Sequence, residues 1–198
     1  MELDPKVYRK IIFIRHGQYS STPEQLTRLG RQQAQWTAKA VALLKPSKIH
    51  CSSMPRAIET ANIISEKTGL QFKPSDLFRE GKLPGTVDFH KAITKGMTAK
   101  EKKEMMAKIK LAKKNADLAF KKLFKKPQRG QTTEIVVAHG NVIRHWVCKA
   151  LGIPEENWLK MDVSHTSLTT ITISKKGNFV LLGFADTGHL PVSARTYV

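Results

Sequence analysis

Two short apolar runs, Ile11-Ile12-Phe13-Ile14 and Ile135-Val136-Val137-Ala138, end at a histidine and a glycine: the first at Arg15-His16-Gly17, the second at His139-Gly140-Asn141. Neither run alternates, and both are too short for an ordinary helix, so each reads as a strand buried on both faces of a parallel sheet. A helical pattern follows each of them. This strand, glycine turn, helix unit, occurring twice, confines the chain to an α/β architecture.

The intervening segments fit that frame. Thr27 is positioned to cap a helix through about Leu44, with Gly30, Ala34, Thr37, Ala38, Val41 and Leu44 on one face and Pro46 stopping it. Ile49 to Ser52 reads as a strand, and after the loop Ser53-Met54-Pro55 a helix runs from Arg56 to Thr68, ended by Gly69. Phe72 is assigned to a further strand, and Asp76 to Pro84 to a loop carrying Arg79, Glu80 and Gly81. Thr98-Ala99-Lys100-Glu101 is a capping box opening a helix whose stripe is Met105, Ile109, Ala112, Ala116, Phe120 and Leu123, ending before Pro127. Near the C-terminus SLTTITIS alternates, and the turn KKGN leads into FVLLGFA, an antiparallel hairpin at one sheet edge. The expected fold is a three-layer α/β/α sandwich with a mostly parallel central sheet and an antiparallel edge. At 198 residues the chain suits a single domain, 1–198, with a lysine-rich helical insertion at about 90–127.

Charge narrows the partners. The formal net charge is +18, and thirteen lysines lie between Lys91 and Lys126 against Glu101, Glu104 and Asp117. Such a face is either simply solvated or a docking surface for an acidic phosphoprotein, an anionic membrane or nucleic acid. No aromatic stacking platform is interleaved among those lysines, which counts against nucleic acid. No apolar run approaches the roughly 18 residues of a membrane span, and MELDPKVYRK lacks the apolar core of a secretory signal. The expectation is a cytoplasmic protein with no integral membrane segment. Cys51 and Cys148 lack the spacing of a disulfide framework or a zinc site.

In an open parallel sheet, ligands bind beyond the carboxyl ends of the strands, where this reading puts Arg15, His16, Ser52 to Arg56, and His139. Two guanidinium and two imidazole groups suit a dianionic phosphoryl group, because arginine forks grip its oxygens in pairs. A neutral imidazole is a competent nucleophile toward phosphorus, and Glu80, with its proton retained, can protonate a departing alkoxide. Glu59 and Thr60 are expected to brace the start of their helix. His50, His90, His145, His165 and His189 have no ligand spacing and are expected to serve ordinary packing or the surface, with His165, in the loop before a strand, the first candidate exception.

The motifs RHGQ at 15–18, LTRLGRQQA at 26–34, SSMPRAIET at 52–60, REG at 79–81 and HGNVIR at 139–144 resemble those of the histidine phosphatase (phosphoglycerate mutase-like) superfamily. Within it the sequence is most similar to the mitochondrial serine/threonine protein phosphatase branch, phosphoglycerate mutase family member five, through RHGQY, SSMPRAIET, REGKLP, HGNVIRHWVCKALGIP, NWLKMDV and FADTGHLP. The resemblance implies that His16 becomes a phosphohistidine, that Arg15, Arg56, His139 and Gly140 bind the phosphoryl oxygens, and that Glu80 donates the proton and then helps activate water. It implies no metal and no cofactor.

A phosphorylated protein is the expected substrate and partner, because the rim Gln18 to Pro23 is short and lacks the asparagine usual in mutases, favouring hydrolysis over mutase activity. A small-molecule phosphatase, a phosphoglycerate mutase-type enzyme and a noncatalytic polyanion-binding protein are the alternatives, and a homodimer is compatible with any of them. No hydrophobic anchor and no acidic, tryptophan-bearing multimerisation segment precede Tyr8, so that branch's membrane anchoring, mitochondrial residence and higher assembly are not carried over.

Overall fold

The computed structural model describes residues 8–128 and 130–197. Its elements run β1 (Tyr8–Arg15), β2 (Tyr19–Ser21), β3 (Glu24–Leu26), α1 (Arg28–Ala42), β4 (Lys48–Ser52), α2 (Pro55–Thr68), β5 (Pro74–Ser75), α3 (Val87–Ile93), α4 (Ala99–Leu123), β6 (Gln131–Ala138), α5 (Gly140–Leu151), β7 (Leu168–Ser174) and β8 (Phe179–Asp186), with 3-10 turns at Asp76–Phe78, Glu155–Lys160 and Val192–Ala194. The main sheet has six strands in the order β5-β4-β6-β1-β7-β8, parallel from β5 to β1 and antiparallel across β1-β7 and β7-β8. The mostly parallel sheet with an antiparallel edge is therefore present.

The unbroken apolar run of β1 has a direct structural cause. Ile11 and Phe13 pack with Trp146, Ala116 and Leu123 of α5 and α4, whereas Ile12 and Ile14 pack with Ala38, Val41, Ala57, Ala61 and Ile64 of α1 and α2. Successive residues of a strand face opposite ways, so a strand covered on both sides must be apolar at every position. Full burial of each such side chain contributes about 1.5–3 kcal/mol. Parallel pairing sets Arg15 opposite Ala138, so His16 and His139 emerge side by side just past the paired ends. The His16 N–H closes the register on the Ala138 carbonyl at 3.0 Å.

Several expectations need correction. Phe72 is not in a strand; the pairing residues are Pro74 and Ser75, opposite Cys51 and Ser52, and Phe72 packs against the α1/α2 side of the core. Leu44 lies beyond the end of α1 and is half exposed, while Gln33 takes a buried place on the helix's inner face. The lysine-rich segment is two helices, because Gly96 turns the chain at φ +76° before Thr98 restarts it with the expected capping box. The rim segment Gln18 to Pro23 lies within a small β2-β3 hairpin that pairs Tyr19 with Leu26 and Ser21 with Glu24.

One ion cluster braces the sheet away from the carboxyl ends of its parallel strands. Glu134 accepts from Arg9 at 2.7 Å and His50 at 2.8 Å, with all three side chains largely buried. Burial alone would raise its carboxyl pKa, but those two partners outweigh it and hold it at about 2, below the ordinary 4.5. A depressed carboxylate stabilises the fold above its unfolded value, and the contribution disappears as pH falls from about 4.5 through about 2. Glu134→Gln is expected to cost about 2–3 kcal/mol in urea unfolding near neutral pH, and the gap from wild type should close toward pH 2.

Candidate active site

Beyond the carboxyl ends of β1, β4 and β6 lies a cavity of about 250 Å³ lined by Arg15, His16, Tyr19, Arg56, Glu80, Gly140, Asn141, Arg144 and Asp162. All the residues expected from sequence except His139 line it directly, and His139 stands against His16 with ring centroids 5.0 Å apart. Gly17 places His16 there. A Cβ on Gly17 would lie 2.5 Å from the Gly30 carbonyl oxygen, and one on Gly30 would lie 1.9 Å from the Gln18 carbonyl oxygen. These two glycines let the turn after β1 lie directly on the start of α1. Thr60 fixes the turn from the other side, accepting from the Gly17 N–H at 3.1 Å and donating to the Arg56 carbonyl at 2.8 Å. Glu59 likewise braces, accepting from Leu26 N–H at 2.8 Å and Arg31 at 2.6 Å.

His16 is 2% exposed. Its Nδ1 sits 2.9 Å from the Gly17 carbonyl oxygen, which can only accept, so the imidazole proton is on Nδ1 and the lone pair on Nε2. Burial, then the neighbouring His139 and Arg56, push its pKa well below the ordinary imidazole value. The ring is therefore neutral and has a free electron pair at physiological pH. Arg56 Nε rests on that pair at 2.9 Å, while its Nη1 is held by Glu24 of the hairpin and its guanidinium carbon lies 4.5 Å from the Tyr19 ring centroid.

Arg15 donates to the Val163 carbonyl at 2.6 Å and from Nη2 to His165 Nε2 at 3.2 Å. His165 is thus no ordinary packing residue: Nδ1 engages Thr196 Oγ1 at 3.0 Å and Nε2 accepts from Arg15. Burial and then Arg15 bring its pKa down to about 4, so it remains a neutral acceptor. Thr166 follows at φ +54°, a conformation costly for a β-branched residue, and donates its N–H to the Arg15 carbonyl at 3.0 Å. Arg144 is a third guanidinium in the cavity wall, anchored on the Met161 carbonyl at 2.6 Å and stacked 4.8 Å from the Trp158 ring centroid.

Glu80 meets the N-terminus of α5. Its Oε1 lies 3.3 Å from the Gly81 N–H and its Oε2 3.5 Å from the Asn141 N–H. Burial pushes its carboxyl above the usual carboxylate range, a shift that these donors and the arginines oppose without cancelling. His139 is fully buried, and burial followed by Arg56 and Arg15 lowers its pKa well below 6.5. Ser52 Oγ accepts from the Met54 N–H at 3.2 Å and is hydrogen-bonded to His139 Nε2 at 2.8 Å. His139 Nδ1, like Arg15 Nε, is buried without a partner among the described residues. Buried nitrogens left unpartnered among clustered cations are what an anion-binding site presents.

The other titratable clusters are structural. Asp117, His145 and Glu155 bring their ligand atoms within 4.8 Å of one another, but Lys149 at 2.8 Å and Lys113 at 3.1 Å already hold Asp117, and Lys113 holds Glu155 at 2.8 Å. These ammonium groups fill the place a cation would take and tie α4 to α5. Cys51 and Cys148 are free and buried, and burial lifts the Cys51 thiol to about 12, too high for a nucleophile. His189 bonds Thr37 at 2.9 Å in ordinary packing. Sequence reasoning missed Tyr19, Glu24, Asn141, Arg144, Asp162 and the role of His165.

Comparisons with known proteins show the family. The chain is 38% identical over 197 residues to "Serine/threonine-protein phosphatase Pgam5, mitochondrial" of Caenorhabditis elegans, covering 92% of this chain and 64% of that protein. The protein of the same name from Drosophila persimilis is 36% identical over 210 residues, covering 97% and 68%. The chain thus spans about two thirds of the length of these relatives. Among solved structures, a phosphoglycerate mutase from Plasmodium falciparum superposes with TM-score 0.64 at 28% identity, over 94% of this chain and 96% of that one. A phosphoserine phosphatase from Entamoeba histolytica has TM-score 0.66 at 23% identity, over 92% and 100%, a likeness of fold alone. The profile of the histidine phosphatase superfamily (branch 1) matches residues 11–187, and the chain belongs to that superfamily.

Proposed function

We propose that the chain is a phosphomonoester hydrolase that works through a phosphohistidine on His16, with serine/threonine phosphoproteins as its substrates. The observation that carries this reading is the pairing, across one cavity, of an imidazole whose lone pair is on Nε2 with a buried carboxyl, Glu80, whose pKa burial raises. In the first step Nε2 forms a bond to phosphorus while the bond to the leaving oxygen breaks, and Glu80 gives that oxygen its proton. In the second, water attacks phosphorus, Glu80 takes the proton, and the N–P bond breaks to release inorganic phosphate. Arg15, Arg56, His139 and the Gly140 N–H neutralise the equatorial oxygens. Arg56 Nε must leave the His16 lone pair to do so, a shift that an arriving dianion drives.

The relatives named as serine/threonine-protein phosphatases support a phosphoprotein over a metabolite. We read residues 8–197 as one catalytic domain, with α3 and α4 inserted between β5 and β6. Exposed lysines of α4 offer a surface for an anionic partner. No described helix is long and apolar enough to cross a membrane. The cytoplasmic placement rests on the sequence alone, whereas the named relatives are mitochondrial, so imaging of a tagged full chain decides between the two.

The test is an assay series with p-nitrophenyl phosphate, phosphoserine and phosphothreonine peptides and 3-phosphoglycerate. Hydrolysis of the peptides with little mutase activity is the expected result; isomerisation of 3-phosphoglycerate without net hydrolysis would turn the reading toward a mutase. Three guanidinium groups already supply the charge that Mg²⁺ provides in other phosphoryl transferases. EDTA is therefore expected to leave kcat and KM within about twofold of the untreated values.

A further inference from the structure

Beside the catalytic cavity runs a larger groove of about 550 Å³, bounded by the loop after the Asp76–Phe78 turn and by one face of α4. Glu80 lines both spaces, so the groove and the cavity adjoin at the proposed proton donor. Its apolar lining comes from Met105, Ile109 and Leu111, of which Ile109 is buried and Leu111 is 58% exposed within a helix whose outer surface is otherwise mostly lysine. The rim carries three cations, Arg79, Lys82 and Lys108, against the exposed carboxylate of Asp76. Arg79 is shared with Ser53 at 3.1 Å and Asp76 at 3.7 Å, whereas neither Lys82 nor Lys108 is in an ion pair among the described residues.

We propose that this groove is the specificity site for the polypeptide flanking the phosphoresidue, taking a segment that carries an acidic side chain for Lys82 and Lys108 and an apolar one for Leu111. The proposal rests on the phosphatase reading above and adds the kind of sequence the enzyme selects. Charge complementarity and continuity with the cavity favour this occupant. A small phosphate ester is consumed within the smaller cavity and leaves the groove unused. A membrane surface is flat, while this site is recessed between a loop and a helix. Cations at a groove mouth also steer an acidic partner toward the site, an effect weakened by salt.

The test uses the full chain and two substrates of different reach. Phosphothreonine peptides with Glu and Leu at flanking positions on either side are compared with peptides carrying Ala or Lys there, and p-nitrophenyl phosphate serves as the small substrate. Wild type is expected to prefer an acidic-apolar peptide by about tenfold in kcat/KM, with the preference shrinking at high salt. Lys108→Glu and, separately, Leu111→Gln are expected to remove most of that preference through KM while changing p-nitrophenyl phosphate turnover less than about twofold. Both positions are at the surface, so folding is preserved. Equal kcat/KM for all peptides, or unchanged preference in both variants, overturns the groove while leaving the phosphatase reading intact. So does binding of phosphatidylserine vesicles that Lys108→Glu abolishes without any peptide preference, which would assign the rim to a membrane. Failure of wild type to hydrolyse p-nitrophenyl phosphate overturns the phosphatase reading and the groove with it.

Discussion

His16→Ala is expected to lower kcat on p-nitrophenyl phosphate and on phosphothreonine peptides alike, by on the order of 10⁴-fold or more. The loss is uniform because the substitution removes the atom that bonds to phosphorus, whatever the leaving group. Nothing adjacent replaces it. His139 is the nearest imidazole, but it is fully buried behind His16, does not line the cavity, and its Nε2 is engaged by Ser52 at 2.8 Å. His165 spends its lone pair on Arg15 at 3.2 Å. His16 is buried, so His16→Asn provides a second variant that retains a polar side chain there, and circular dichroism establishes that each is folded. Activity equal to wild type in either folded variant removes His16 as the nucleophile.

Glu80→Gln should separate substrates that His16→Ala does not. An alkoxide leaving from phosphothreonine is strongly basic and needs a proton in the transition state, so its loss is expected to be about 10²–10⁴-fold. A nitrophenolate leaves without help, and its phosphorylation step should fall by less than about tenfold. The pH profile gives the sign independently. Glu80 must be protonated to act as the acid, and burial raises its pKa, so wild-type activity on peptides falls as pH rises through that raised value. The acid limb reflects protonation of His16, whose pKa lies well below 6.5, together with that of the phosphate ester itself. Glu80→Gln is expected to lose the alkaline limb and keep the acid one. An alkaline limb unchanged in the variant would assign the proton transfer to another group.

What could be read from the sequence depended on how local each cause was. The two buried strands, the capping box at Thr98 and the hairpin turn at Gly177, φ +91°, each depend on neighbours within a few residues, and each was found where the pattern put it. Strands β2, β3 and β5 are only two or three residues long, too short for any alternation to register, and their pairing decides them. Arg15, His16, Arg56 and His139 could be named because strand ends mark them, whereas the role of Glu80, in a loop, came from the resemblance carried by Arg79-Glu80-Gly81. His165 and Glu24 could not be given roles, because their partners are 150 and 32 positions distant and only the fold unites them. Gly17 also sharpened: its φ is not left-handed, and its need for glycine comes from the Gly30 carbonyl 2.5 Å from where a Cβ would stand.

The central claim is the N–P bond at His16. It is tested by mixing wild type with phosphothreonine peptide, quenching in alkali within the first turnover, and measuring the intact mass and fragment spectra. The account predicts one phosphoryl group, stable to alkali, lost in acid, located on the fragment bearing His16, and prolonged in Glu80→Gln. Rapid hydrolysis with no phosphorylated enzyme at any time in either protein, or phosphate mapped to His139, would contradict it.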